Sequence, residues 1–145
     1  HYTIAHGIRS EQDPDTRWSE MPAFGEILAE EEIGQVVHYV RQISGQEHDA
    51  TLASAGETVY LDNCAACHME DGSGDRFQGA PNLTDAIWLY GASPEEITHS
   101  VEVGPYGVMP AWGLNASFVG NADEEAVTAK INAVALYVHQ LGGGE

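Results

Sequence analysis

Five residues, "CAACH" at 64–68, constrain this chain more than any other stretch. On a helical turn, thiols at i and i+3 lie on one face, so Cys64 and Cys67 point the same way. C-x-x-C-H is the attachment pattern of a c-type haem: the two thiols add to the two vinyl groups on one porphyrin edge, and the histidine that follows, His68, turns its imidazole under the iron. Two other chemistries use such a pair. A thioredoxin-like dithiol needs a strand leading into it, whereas "SAGETVYLDNCAACH" carries apolar Val59, Tyr60 and Leu61 and reads as helix. A structural zinc needs four ligands, and these two are the chain's only cysteines. The expectation is one covalently bound haem c, with His68 as an iron ligand.

A haem iron held by one imidazole has a second axial position, and a thioether there raises the reduction potential relative to a second imidazole. The methionines are Met21, Met69 and Met109. Met69 adjoins His68 and is tied to the same side. Met109 stands in "GPYGVMPAWG", where Gly and Pro interrupt regular structure and let backbone pass close to a porphyrin plane. Met109 is therefore the expected second ligand, with a second imidazole as the alternative; His6, His38, His48, His99 and His139 read as surface or packing residues. The His68 ring needs its other nitrogen fixed, and Pro81 in "GAPNL" offers a carbonyl without a competing N–H, although the stretch also reads as an ordinary turn. Trp112, Trp88 and Tyr90 either line the haem pocket, with an indole N–H on a propionate, or fill a core. Arg76 either neutralises a propionate or is a solvated surface residue.

The remaining composition restricts partners. Against 23 acidic residues stand only Arg9, Arg17, Arg41, Arg76 and Lys130, for a formal net charge of −18, which repels nucleic acid and anionic lipid. Such a surface is either simply well solvated or suited to docking on a basic face. With 43% apolar residues the chain can build a core. No apolar run reaches the roughly 18–20 residues of a membrane-crossing helix. The first residue is His1 and no leader is recognisable, so the sequence reads as a processed product or a fragment whose anchor lies elsewhere. Thioether attachment points to an oxidising compartment, most simply the bacterial periplasm.

Gly56, Tyr60, Cys64, Cys67 and His68 together resemble the entrance of a class I cytochrome c, an all-α fold of three to five helices around one haem. The resemblance implies that a first helix crosses the last one at the Gly and aromatic positions. That last helix is readable: Asp123 and Glu124 mark its start, Ile131, Val134, Val138 and Leu141 recur at helical spacing, and Tyr137 is the matching aromatic. Ser93, Pro94 and Glu96 form a capping box that opens another helix over 94–103. A closer similarity is to the di-haem cytochrome c subunit, CcoP or FixP, of cbb3-type haem-copper oxidases. "TIAHGIRSEQDPDTRWSEMPAFG" resembles the distal loop of that family's first cytochrome unit, and "GVMPAWG" with "ALYVHQLGG" resembles the end of its second. The departure is "VGPYGVMPAW", which lacks an Arg before the second methionine.

The repeat of "MPA" follows from this. "YVRQISG" at 39–45 parallels "YVHQLGG" at 137–143, and Ile4 and Gly7 parallel Val101 and Gly104. The chain therefore reads as residues 1–45, the C-terminal remnant of a first cytochrome unit; 46–53, a polar linker; and 54–145, a complete mono-haem domain. Within 26–44, Ile33, Val36, Val37, Val40 and Ile43 form an apolar stripe that needs cover, from the second unit, from residues before His1, or from a homodimer through residues 1–45. By the resemblance Met21 is a ligand only of a first haem carried by the intact parent. The resemblance further implies electron transfer through a His68/Met109 haem to the catalytic haem-copper subunit, with soluble cytochromes as donors, no active site of its own, and attachment at the periplasmic side of the inner membrane through an anchor absent from this chain. A free soluble cytochrome carrier and a haem-based gas or redox sensor are the alternatives.

Overall fold

The computed structural model describes residues 1–142; residues 143–145, in the tail that reads as flexible from its glycines, lie outside the described residues. The described residues form seven α-helices, α1 (Tyr2–His6), α2 (Glu30–Ile43), α3 (Ala50–Asn63), α4 (Ala65–His68), α5 (Pro94–Val103), α6 (Ala116–Val119) and α7 (Glu124–Leu141), with a 3₁₀ turn at Phe24–Glu26. Among the described residues β pairing is confined to isolated bridges. The chain forms two compact units, Glu20–Tyr106 and His1–Ser19 with Gly107–Glu145. These divisions fall elsewhere than the boundaries at 45 and 54 expected from the repeat, and α3 begins inside the expected linker 46–53.

The unit Glu20–Tyr106 is built on two helices. α2 starts with Glu30, Glu31 and Glu32 at the positive end of its dipole, and the Glu32 carboxylate accepts the Ala29 N–H at 2.8 Å. Ile33, Val36, Val37 and Val40 recur at i, i+3, i+4 and i+7 and are all buried. α3 is opened by Asp49, whose Oδ1 accepts the N–H groups of Thr51 at 2.8 Å and Leu52 at 3.0 Å. Its Ala53, Gly56, Val59 and Tyr60 face α2 and the shared core, which Phe24, Ile97 and Val101 complete from the 3₁₀ turn and α5. The expected capping box opens α5: Ser93 Oγ accepts the Glu96 N–H at 3.2 Å, and Glu96 accepts the Ser93 N–H at 3.0 Å.

The apolar stripe of residues 26–44 is thus covered inside its own unit, which removes the reason for expecting a homodimer through residues 1–45. A second expectation is corrected. The helix that crosses α3 at Gly56 is α2, not the last helix: a Cβ on Gly56 would lie 2.9 Å from the Val36 nitrogen and closer still to the Gln35 carbonyl. The aromatic matched to Tyr60 is Tyr39, with ring centroids 5.0 Å apart. Tyr137 is 62% exposed, and Val134, Val138 and Leu141 are exposed with it. Chain connectivity gives the reason. α2 and α7 carry nearly the same closing sequence, but only a short connector separates α2 from α3, so the entropy lost in closing that loop is smaller.

The other unit joins the beginning of the first repeat to the end of the second. Ile8 and Met109 exchange backbone hydrogen bonds at 3.0 and 2.9 Å, and the Trp112 and Gly113 N–H groups donate to the carbonyls of Ile4 and Ala5 at 3.1 and 2.9 Å. The Arg9 guanidinium donates to the Gly107 carbonyl at 2.6 Å and to that of Ser19. α1 packs on α7, and Lys130 Nζ donates to the Phe118 carbonyl at 3.0 Å.

Two predictions follow from the helix pair. Gly56→Ala drives a methyl into the α2 backbone and is expected to cost about 2–3 kcal/mol, read from urea denaturation. Asp49 has its pKa lowered by the Leu52 and then the Thr51 N–H bonds. Its contribution is therefore complete above the ordinary carboxylate range and lost as pH falls through the depressed value. Asp49→Ala should lower the melting temperature at pH 7, and the difference from the unaltered chain should shrink in acid.

Candidate haem-binding site

α3 runs directly into the C-x-x-C-H turn. Cys64 ends α3, and its carbonyl accepts the N–H groups of Cys67 at 3.1 Å and His68 at 2.9 Å, so the two thiols share a helical face. Beyond α4 the chain doubles back: the Gly74 N–H donates to the His68 carbonyl at 3.0 Å, Asp75 and Ala80 exchange bonds at 3.1 and 3.0 Å, and the Leu83 N–H reaches the Gly72 carbonyl at 2.7 Å. This hairpin carries Pro81 to His68, whose Nδ1 lies 3.0 Å from the Pro81 carbonyl oxygen. A carbonyl only accepts, so Nδ1 carries the proton and Nε2 keeps its lone pair.

Electrostatics favour the same state. Burial lowers the His68 pKa against the opposing effect of the Pro81 bond, so the ring is a neutral ligand donor. Burial, and then the neighbouring Cys67, push the Cys64 thiol up to about 11. That is the opposite of an activated redox dithiol, whose attacking thiol has a lowered pKa. Tyr60 is also raised, chiefly by burial, and its hydroxyl donates to the Met69 carbonyl at 2.8 Å, pinning the chain just past His68.

The donor set fits a c-type haem: two thiols on one face, an adjacent imidazole with one nitrogen fixed and the other available, and no second cysteine pair for zinc. The surroundings fit as well. Between α4 and α5, Phe77, Ile87, Leu89 and Tyr90 are all more than 60% exposed, an apolar surface suited to a porphyrin.

The structure brings Cys64, Cys67, His68 and Pro81 together. Trp88 packs against the core of the same unit, Tyr90 is exposed, and so is Arg76. Met109 and Trp112 belong to the other compact unit, where Trp112 packs edge-on to Phe118 at 5.9 Å. Met21, read from sequence as a ligand only for a first haem, belongs to the unit of His68 and packs on its core alongside Cys64, Ala65, Leu83 and Trp88. Of the histidines read as surface or packing residues, His6 pairs with Asp13 at 2.9 Å and His38 Nδ1 accepts the Asp49 N–H at 3.0 Å.

The family profile described as cytochrome c oxidase, cbb3-type, subunit III matches residues 51–138, from the start of α3 into α7. The chain belongs to this subunit III family. It is 52% identical to the cbb3-type cytochrome c oxidase subunit CcoP of Cereibacter sphaeroides, over 100% of this chain and 47% of that protein. It is 48% identical to CcoP of Rhodobacter capsulatus, over 98% of this chain and 48% of the relative. To the FixP subunit of Sinorhizobium medicae it is 41% identical, over 99% and 46%. The chain thus spans about half the length of these subunit III relatives. No described helix is long and apolar enough to cross a membrane.

The raised pKa of Cys64 can be read directly in chain prepared without haem. At pH 8 its alkylation, followed by peptide mass spectrometry, should be about two orders of magnitude slower than that of an unperturbed cysteine. Denaturant should abolish the difference.

Proposed function

We infer that this chain is an electron-transfer module, carrying one haem c and relaying electrons to the catalytic subunit of a cbb3-type oxidase. The observation that carries the reading is the His68 imidazole, beside two thiols on one helical face, with Nδ1 held by the Pro81 carbonyl and Nε2 free to ligate. Bound there, the haem supplies a one-electron iron couple whose potential is set by its axial ligands and surroundings.

The protein's part is to hold and tune. Cys64 and Cys67 fix the porphyrin edge, and the Pro81 bond orients His68 and raises its basicity. A methionine thioether would raise the potential of a haem held there; Met109 occupies that ligand's place in the second repeat, with Trp112 as a pocket residue of the same repeat. With His68 and a methionine holding the iron, the site would leave no position for a substrate atom, and the role would be relay, not bond-making. Residues 54–145 carry the sequence of a whole cytochrome unit and 1–45 that of a second unit's closing half. On this reading the work lies at the periplasmic face of the inner membrane, with a soluble cytochrome as donor, a reading that the similarity to subunit III proteins supports.

The test is direct. Matured with haem, the chain should be red, gain the mass of one haem that persists after denaturation, and, once reduced, be reoxidised by the catalytic subunit in the presence of oxygen. Cys64→Ser with Cys67→Ser should leave no haem on the denatured chain. A colourless product from cells that attach haem to a control cytochrome would refute the reading.

A further inference from the structure

Arg9 stands where the backbone turns left-handed, with φ at 52°. Glycine adopts that conformation freely, whereas any side chain makes it costly. This position nevertheless carries a guanidinium, and the guanidinium is used. The Arg9 backbone N–H donates to the Arg17 carbonyl at 2.8 Å. Its side chain reaches two further carbonyls: Nε donates to that of Gly107 at 2.6 Å, and Nη1 to that of Ser19. Gly107 lies two residues ahead of Met109, and Ser19 two residues ahead of Met21. Arg9, Ser19 and Gly107 all belong to one compact unit.

One side chain therefore ties the approach to each "MPA" methionine. Packing holds neither approach tightly. Trp18 and Glu20 are exposed on one, Gly107 and Val108 on the other, and a Cβ on Gly107 would meet nothing within 4 Å. Past the sulfurs the backbone is better fixed. The Met109 carbonyl sits against Gly7 and the Met21 carbonyl against Gly104, and a proline follows each methionine. The sequence "VGPYGVMPAW" has no Arg ahead of its methionine; Arg9 brings one there from 98 residues away.

We propose that Arg9 is a positioning residue for the thioether ligand of the haem, its guanidinium bridging the carbonyls two residues ahead of Met21 and of Met109. The inference rests on the haem-binding reading and holds for a sulfur from either loop. A guanidinium is planar, always charged and donates in fixed directions, so its bonds to two carbonyls set their separation; a lysine ammonium on a flexible stem does not. Held ahead by Arg9 and behind by proline and a glycine contact, each methionine has fewer positions to sample away from the iron. Arg9 stays protonated throughout and exchanges no electron.

The experiment uses the full haem-loaded chain, with imidazole as the competing ligand. Imidazole displaces methionine sulfur from ferric iron, and loss of the long-wavelength band measures its affinity. Arg9→Gly keeps the left-handed backbone and removes the guanidinium; Arg9→Lys keeps the charge and loses the fork. Arg17→Gln removes a neighbouring exposed charge, which lies over the Tyr2 ring. Expected is the same haem count by pyridine haemochrome in the unaltered chain and all three variants, with imidazole bound about tenfold more tightly in Arg9→Gly and Arg9→Lys alone. Circular dichroism verifies folding, and Arg9→Lys decides alone should Arg9→Gly not fold. Unaltered imidazole affinity in Arg9→Lys would overturn the bridging role, and an equal gain in Arg17→Gln would make the effect one of net charge and overturn it as well. No attached haem in the unaltered chain would overturn the haem reading and this inference with it.

Discussion

The close contact of α3 with a partner helix at Gly56 is the constraint on which the rest of the haem-bearing unit depends. A backbone approach this tight admits one helix at a time, and the chain contains two with nearly the same closing sequence. Which of them enters decides what accompanies it. With α2 come the 3₁₀ turn at Phe24–Glu26 and Met21; α7 would bring the loop of Met109. The contact also holds Val59 and Tyr60 in the core, and Tyr60 in turn anchors the backbone at Met69, one residue beyond His68.

Rigidity of this kind suits one-electron relay. Each piece of the site that would touch the expected haem is held from behind: the thiols by the junction of α3 and α4, the imidazole by the Pro81 carbonyl, Pro81 by the Asp75–Ala80 bridge. Groups that could carry out other chemistry are kept quiet. Burial keeps the Cys64 thiol and the Tyr60 phenol protonated and His68 neutral. Apart from Asp13, the described acidic residues are at least partly exposed, and a formal charge of −18 repels nucleic acid and anionic lipid.

Much of this was legible along the chain. The helical character of α2, α3, α5 and α7, the capping box at Ser93 and Glu96, and the proximity of Pro81 to His68 are short-range properties, fixed by spacing, by caps and by a tight hairpin. The doubling of "MPA" was legible too, as was the need to cover Ile33, Val36, Val37 and Val40. The pairing of the two repeats was not. Their segments are alike enough that either copy satisfies the same apolar pattern, so sequence periodicity cannot rank one α3 partner above the other.

Sequence by itself determined the chemistry available: one thiol pair, one adjacent imidazole, two methionines in Pro- and Gly-flanked loops, and an all-helical chain of the subunit III family. Tertiary structure alone decided which methionine loop shares a compact unit with His68. The physical reason lies in connectivity. Two helices with nearly the same closing sequence compete for the single notch at Gly56, and the one joined to α3 by the short connector pays less entropy to reach it.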